Sequence, residues 1–173
     1  VKYVIVSDPA FQSALQPLVQ WKTKKGFHVV EAYTNDPAVG NSTASIYTYL
    51  KNMYDNPADG IAPTYVLFVG DDGQIPSFVG HTGSHISDMY YCEFDGGGDF
   101  FPEMYYGRFS ANIAEEVEVQ VNKTLTHEQY LFSDPTFLNE IVLVAGVDGS
   151  FAPTHGNGQI NYGTDYYFNT AHG

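Results

Sequence analysis

The sequence predicts an α/β fold, a doubly wound and mostly parallel sheet with helices on both faces. Three observations lead there. Short, β-branched apolar runs recur at residues 1–6, 27–32, 65–69 and 141–147, as suits strands buried on both faces. The segments between several of them carry apolar residues at helical spacing. The resulting strand-helix-strand-helix-strand order calls for right-handed crossovers, which set parallel strands side by side.

Residues 1–6 open the chain as a buried strand, and Ser7-Asp8-Pro9 supplies a cap and a proline suited to a first helical turn. Phe11, Ala14, Leu15, Leu18 and Val19 then follow one helical face. Lys22, Lys24 and Lys25 lie where positive charge suits a helix C-terminus, and Gly26 fits the left-handed residue that stops it. Residues 27–32 form the second strand and 35–41 a loop. Ser42 or Thr43 caps a helix whose apolar face is Ile46, Tyr49, Leu50 and Met53, and Asn56-Pro57 ends it. The run at 65–69 breaks at Gly70-Asp71-Asp72-Gly73. After a polar stretch from 74 to 88, residues 89–94 read as an aromatic strand, 104–109 as a short strand, and 114–132 as a long helix. Residues 141–147 are the last strong strand, followed by a Gly-rich loop and a helix through 162–169.

At 173 residues and 43% hydrophobic content, the chain is sized for one domain with one sizeable core. It begins inside an apolar run and stops directly after a tyrosine-rich segment, so a fragment of a longer protein is expected. Seven Lys+Arg against 20 Asp+Glu give a net charge of -13, which repels phosphate backbones and argues against nucleic acid as a partner. No apolar run approaches the roughly 20 residues needed to span a bilayer. The single Cys excludes an internal disulfide.

In open parallel sheets ligands gather at the carboxyl ends of the strands, where helix N-termini and loop amides point. Asp71 follows the strand at 65–69 and Asp148 follows the one at 141–147, so both are candidates for a functional rim; each could instead cap the next turn. The segment Asp95-Gly-Gly-Gly-Asp99-Phe-Phe101-Pro-Glu103 places carboxylates at 95, 99 and 103 among glycines that let the backbone fold tightly. With Asp71 and a carbonyl near Phe101, such a loop brings about six oxygens toward one Ca²⁺. The spacing is not that of an EF-hand, and a solvated acidic turn is the alternative. Cys92 sits among Tyr90, Tyr91 and Phe94, where a buried structural thiol is expected rather than a nucleophile beside a base. His81 and His85 are four apart, but Gly80 and Gly83 argue against the helix that would turn both toward one metal. No Gly-x-Ser-x-Gly elbow is present.

At Val69-Gly-Asp71, at Asp99-Phe-Phe-Pro-Glu103-Met-Tyr-Tyr-Gly-Arg-Phe-Ser-Ala111 and at Val144-Ala-Gly-Val-Asp148, the sequence resembles the gingipains, secreted cysteine endopeptidases with a caspase-like fold. The likeness extends through Tyr3-Val-Ile-Val-Ser7, Gln20-Trp-Lys-Thr-Lys-Lys-Gly26 and Asn161-Tyr-Gly-Thr-Asp-Tyr-Tyr-Phe-Asn169, and it is somewhat closer to the lysine-specific type. The family's catalytic domain is two α/β subdomains, and its catalytic His-Gly and Cys belong to the second. The resemblance implies that residues 1–173 are the first, a single α/β domain forming the N-terminal half. It places calcium ligands on Asp71, Asp95, Asp99, the carbonyl of Phe101, and Glu103. It gives Asp148 the role of the carboxylate that orients the catalytic imidazole, and it carries neither Cys92 nor His172 over as catalytic. The implied parent is a secreted or cell-surface peptidase that meets protein or peptide substrates through its second subdomain, this chain being inactive alone. A non-enzymatic, calcium-stabilised binding or assembly module of the same fold is the alternative, and a self-contained hydrolase using Asp148, His172 and a Ser ranks last.

Overall fold

The computed structural model describes residues 1–80, 85–96, 100–144, 146 and 149–172, with backbone alone at 154 and 155. Where chain length suggests one unit, contacts divide the protein into two, Val1–Leu131 and Phe132–Gly173.

The first unit is built on four parallel strands: β1 (Lys2–Ser7), β2 (His28–Tyr33), β3 (Pro63–Val69) and β6 (Tyr105–Phe109), in the order β2-β1-β3-β6. A small antiparallel pair, β4 (Phe78–Val79) with β5 (Ile86–Ser87), lies in the connection between β3 and β6. Side chains alternate across the central strands, and each set meets its own helices. Val4, Val6, Val66 and Phe68 pack with Ile46 and Leu50 of α2 (Thr43–Asp55) and with Tyr91, Cys92 and Met104. Ile5, Leu67 and Val69 pack instead with Leu15 and Leu18 of α1 (Gln12–Lys24) and with Val117 and Val121 of α3 (Ala114–Glu128). The sheet is therefore covered on both faces, as the continuous apolar runs require.

Local chemistry sets the boundaries. Gly26, at φ 93°, ends α1, with its N–H on Thr23 O (2.9 Å) and the Phe27 N–H on Lys22 O (3.1 Å). Ser42 caps α2 in a capping box with Ser45, and Asn56 closes its far end. Glu128 joins α3 to α1: its Oε1 lies 2.5 Å from Lys22 Nζ, and its Oε2 accepts from Lys25 Nζ (3.0 Å) and Trp21 Nε1 (2.8 Å). Burial alone would raise the Glu128 pKa, but the hydrogen bonds from Lys22, Lys25 and Trp21 outweigh it and bring the carboxyl down to about 2.

Three segments differ from expectation. Residues 89–94 form no strand: Met89–Tyr91 is a 3₁₀ turn in which the N–H groups of Tyr91 and Cys92 bond Asp88 and Met89 carbonyls. Tyr91 and Cys92 are consecutive and both 0% exposed, an arrangement that a strand's alternation forbids to a one-faced position. α3 stops at Glu128, short of 132, because Tyr130 turns left-handed at φ 57° and the Leu131 N–H reaches back to Thr126 O.

The third difference is in the second unit, which holds a 3₁₀ turn (Thr136–Asn139), a π turn (Ala152–Gly156) and α4 (Asn157–Tyr166). Residues 141–144 form no strand, and Val142 and Val144 are 86% and 83% exposed. An apolar run becomes a strand only when a neighbour takes up its backbone groups, and among the described residues these four have none.

Candidate functional site

At the carboxyl rim of the first unit, β3 runs into Gly70, whose φ of 137° turns the chain sharply and whose N–H donates to Phe109 O (2.9 Å). Asp71 follows, its N–H on Ala111 O (2.9 Å). Its Oδ1 accepts from Ser110 Oγ (3.2 Å) and its Oδ2 from Asn112 Nδ2 (3.3 Å). The Asp72 N–H, then Asn112 and Ser110, hold the Asp71 carboxyl below its ordinary pKa, so the rim presents a carboxylate there.

Arg108, which the sequence reading did not single out, locks this rim. Its Nε and Nη2 form a two-point pair with Asp88 at 2.7 Å each, and Nη1 donates to Gly70 O (2.8 Å) and Ile75 O (2.9 Å). The guanidinium also lies 5.8 Å over the Phe68 ring. An Arg in a strand beside turn-forming residues is the only signal sequence offers, because every partner is remote.

Glu103, another of the predicted ligands, lies at the opposite rim. β3 and β6 are parallel, with Tyr65 opposite Tyr105 and Val69 opposite Phe109. Asp71 comes two residues after β3 and Glu103 two residues before β6, so the full length of β6, roughly 13 Å at ~3.3 Å per residue, separates them before the loops are counted. Calcium ligands sit about 2.3–2.6 Å from their ion, so Asp71 and Glu103 cannot share one. Asp71 therefore leaves the ligand set expected from sequence.

Glu103 is oriented twice over. Its N–H donates to Cys92 O (2.8 Å) and its Oε2 accepts the Phe94 N–H (2.6 Å). Asp95 and Phe101 are exposed on the same loop, where Gly96 takes a left-handed φ of 108°. Asp99 lies outside the described residues, as do Asp148 and His81. Among the described residues no group of three or more His, Cys, Asp or Glu side chains is placed to hold a metal ion.

Cys92 is 0% exposed, and burial, with the nearby carboxylates Asp88 and Glu103, pushes its thiol up to about 12. A thiol so held is protonated at neutral pH and is no nucleophile. His172 is exposed, with Nδ1 3.0 Å from Asn169 Oδ1. Among the described residues no helix is long and apolar enough to cross a membrane.

Comparison with known proteins places these features in a family. The model of peptidase family C25 matches residues 1–172. Lys-gingipain W83 of Porphyromonas gingivalis is 36% identical over 174 residues, covering 100% of this chain and 10% of that protein. Gingipain R2 of the same organism is 24% identical over 161 residues, covering 93% of this chain and 21% of that protein. A solved structure described as a protease matches with TM-score 0.89 at 36% identity, over 100% of this chain and 38% of its own. The Arg-specific cysteine proteinase gingipain R shares the fold, with TM-score 0.80 at 24% identity over 96% of this chain and 39% of its own. The chain thus spans only a tenth of the length of Lys-gingipain, which it resembles more than the Arg-specific type. A family model that covers all but one residue, with the mostly parallel sheet of the gingipain structures, shows that the chain belongs to peptidase family C25.

Proposed function

We propose that this chain is the N-terminal subdomain of a gingipain-like cysteine endopeptidase whose nucleophile and catalytic histidine lie downstream. The observation that carries the reading is 36% identity to Lys-gingipain across the whole chain. The properties of Cys92 support it: the only thiol here is buried and proton-bound, so thiolate chemistry needs another cysteine. Asp148 accepts the far N–H of the catalytic imidazole, fixes its tautomer, and stabilises the imidazolium formed as the thiolate attacks a peptide carbonyl. Protein or peptide substrates bind through the second subdomain, in a parent that is secreted or on the cell surface.

Calcium belongs to the loop between β5 and β6. Asp95, Asp99, the Phe101 carbonyl and Glu103 would hold it, an all-oxygen set suited to a hard cation, and Glu103 is already aimed by the Phe94 N–H. Bound there, the ion would cross-link a glycine-rich loop.

The test uses the parent protein on peptides with Lys or Arg before the cut. Asp148→Asn is expected to lower kcat about a hundredfold or more. Cys92→Ala is expected to leave kcat unchanged, and loss of turnover in that variant would overturn the assignment. Chelation is expected to lower the melting temperature of this chain, and Asp99→Ala to mimic it. A melting temperature indifferent to chelator, with no metal found by elemental analysis, would remove the calcium.

A further inference from the structure

We propose that the amino rim of the sheet holds a binding site for a small, neutral carboxamide with an apolar body. Lys2 and Val4 of β1 lie beside His28 and Val30 of β2 in parallel register, and Val4 and Val30 belong to the core on the α2 face. α2 ends at Asp55, and a turn closed by the Gly60 N–H on Pro57 O (2.9 Å) follows and carries Asp59. Between these elements lies a cavity of about 450 Å³, with Val30, Tyr49 and Met53 on its apolar wall and Lys2, His28 and Asp59 on its polar one. A mostly apolar hollow of this size with a few placed polar groups is what encloses a small organic molecule. β1 covers roughly 17 Å from Lys2 to Ser7 at ~3.3 Å per residue, so the cavity lies at the opposite rim from Asp71.

The polar wall has spare hydrogen-bonding capacity of a definite kind. The Lys2 side chain is only 5% exposed, and its ammonium carries three N–H donors. It gives one to Asp59 Oδ1 (2.8 Å) and has no other hydrogen-bond partner among the described residues. Asp59 Oδ1 also accepts the Ile61 N–H (3.1 Å), and Oδ2 lies 3.1 Å from His28 Nδ1. The hydrogen bond from Lys2, then that from Ile61, bring the Asp59 carboxyl down to about 2, so it stands as a carboxylate. Each of its oxygens can accept twice; Oδ1 is filled and Oδ2 keeps one position. A buried donor thus lies beside a spare acceptor, and a carboxamide answers both, its C=O taking a Lys2 N–H and its own N–H going to Asp59 Oδ2. Charge selects the neutral group over an ion. Lys2 and Asp59 already cancel, so a ligand carboxylate would lie against Asp59 and a ligand ammonium against Lys2, each a like-charge pair in a site partly closed to water.

The experiment titrates the full, nitrogen-15-labelled chain at neutral pH with three probes that share a phenyl ring and a three-carbon chain: 3-phenylpropanamide, 3-phenylpropanoate and 3-phenylpropylammonium. The amide probe is expected to shift the backbone N–H signals of Val30, Asp59 and Ile61 with a Kd on the order of millimolar. The two ions should bind at least about tenfold more weakly. If no probe moves these signals, the site is overturned; if either ion binds as tightly as the amide, the carboxamide assignment is overturned. Ala58 is exposed and lines the cavity, so Ala58→Trp should fill it and abolish amide binding without disturbing the core. Undiminished binding to that variant would overturn the placement. Lys2→Met removes the donor and should weaken amide binding about tenfold, and unchanged affinity in the folded variant would overturn the role of Lys2. Unchanged far-UV circular dichroism shows that a variant is folded, and should one not fold, the three probes on the parent chain still decide.

Discussion

Replacing Glu128 by Gln tests whether the tie between α1 and α3 is an ion-pair cluster or mere contact. Glu128 is 22% exposed and Lys22 11%, while Lys25 stands at 40%. A Glu in the unfolded chain titrates near 4.3, so a folded value of about 2 corresponds to about 3 kcal/mol at about 1.4 kcal/mol per unit. Solvent screens the Lys25 share, which brings the expected loss to about 2 kcal/mol. Gln preserves an acceptor for Trp21 Nε1 but leaves the nearly buried Lys22 ammonium without a counter-charge. Trp21 is the only tryptophan, so its fluorescence in a urea titration reports this unit directly. For an m-value of about 2 kcal/mol/M, the midpoint should fall by about 1 M at neutral pH.

The pH dependence has a definite sign. Glu128 has a depressed folded pKa, so its contribution is complete above the unfolded value of about 4.3 and is lost as pH falls through about 2. The gap between parent and variant should hold from neutral pH to about pH 5 and shrink by more than half by about pH 3. A gap below about 0.5 kcal/mol at neutral pH, or one that persists unchanged into acid, would refute the ion-pair account.

Arg108→Lys should destabilise the first unit by about 2–4 kcal/mol, because an ammonium cannot reproduce the two-point Asp88 pair together with the carbonyls of Gly70 and Ile75. Thermal melting reads this as a fall of about 10 °C, and a variant within about 1 °C of the parent would show that these contacts carry little. Gly70→Ala should cost about 2 kcal/mol, since φ is 137° and a Cβ would stand 2.7 Å from Gln74 Cβ. Gly26→Ala, at φ 93° with nothing within 4 Å of the new carbon, should cost only about 1 kcal/mol. Urea midpoints in the reverse order would contradict the crowding at Gly70.

What sequence revealed of this fold is what local chemistry determines. The runs at 1–6 and 65–69 read as buried strands because both of their faces are apolar, and α1 ends where lysines and Gly26 say it should. Segment 89–94 misled because aromatic content suits a strand as well as a turn. The deciding fact is that Tyr91 and Cys92 enter one core side by side. Residues 141–144 misled for a different reason: apolar content proposes a strand, but only a neighbour completes it.

The site shows the same division. A glycine-rich loop with carboxylates is visible as residues in order, and so is an Asp after a strand. Whether Asp71 joins that loop depends on the direction in which β6 runs beside β3, and no spacing within either segment encodes it. Arg108 went unnoticed because its importance lies in four partners between 20 and 38 residues away.

The alternation along β1 and β3 has a consequence for how this protein can change. Each strand feeds neighbouring side chains to opposite cores, so removing one residue from the middle of either would exchange the contents of both cores beyond that point. Length can vary there only in steps of two. Single-residue insertions and deletions are confined to the connections, above all the long excursion between β3 and β6, which carries Asp95 and Glu103.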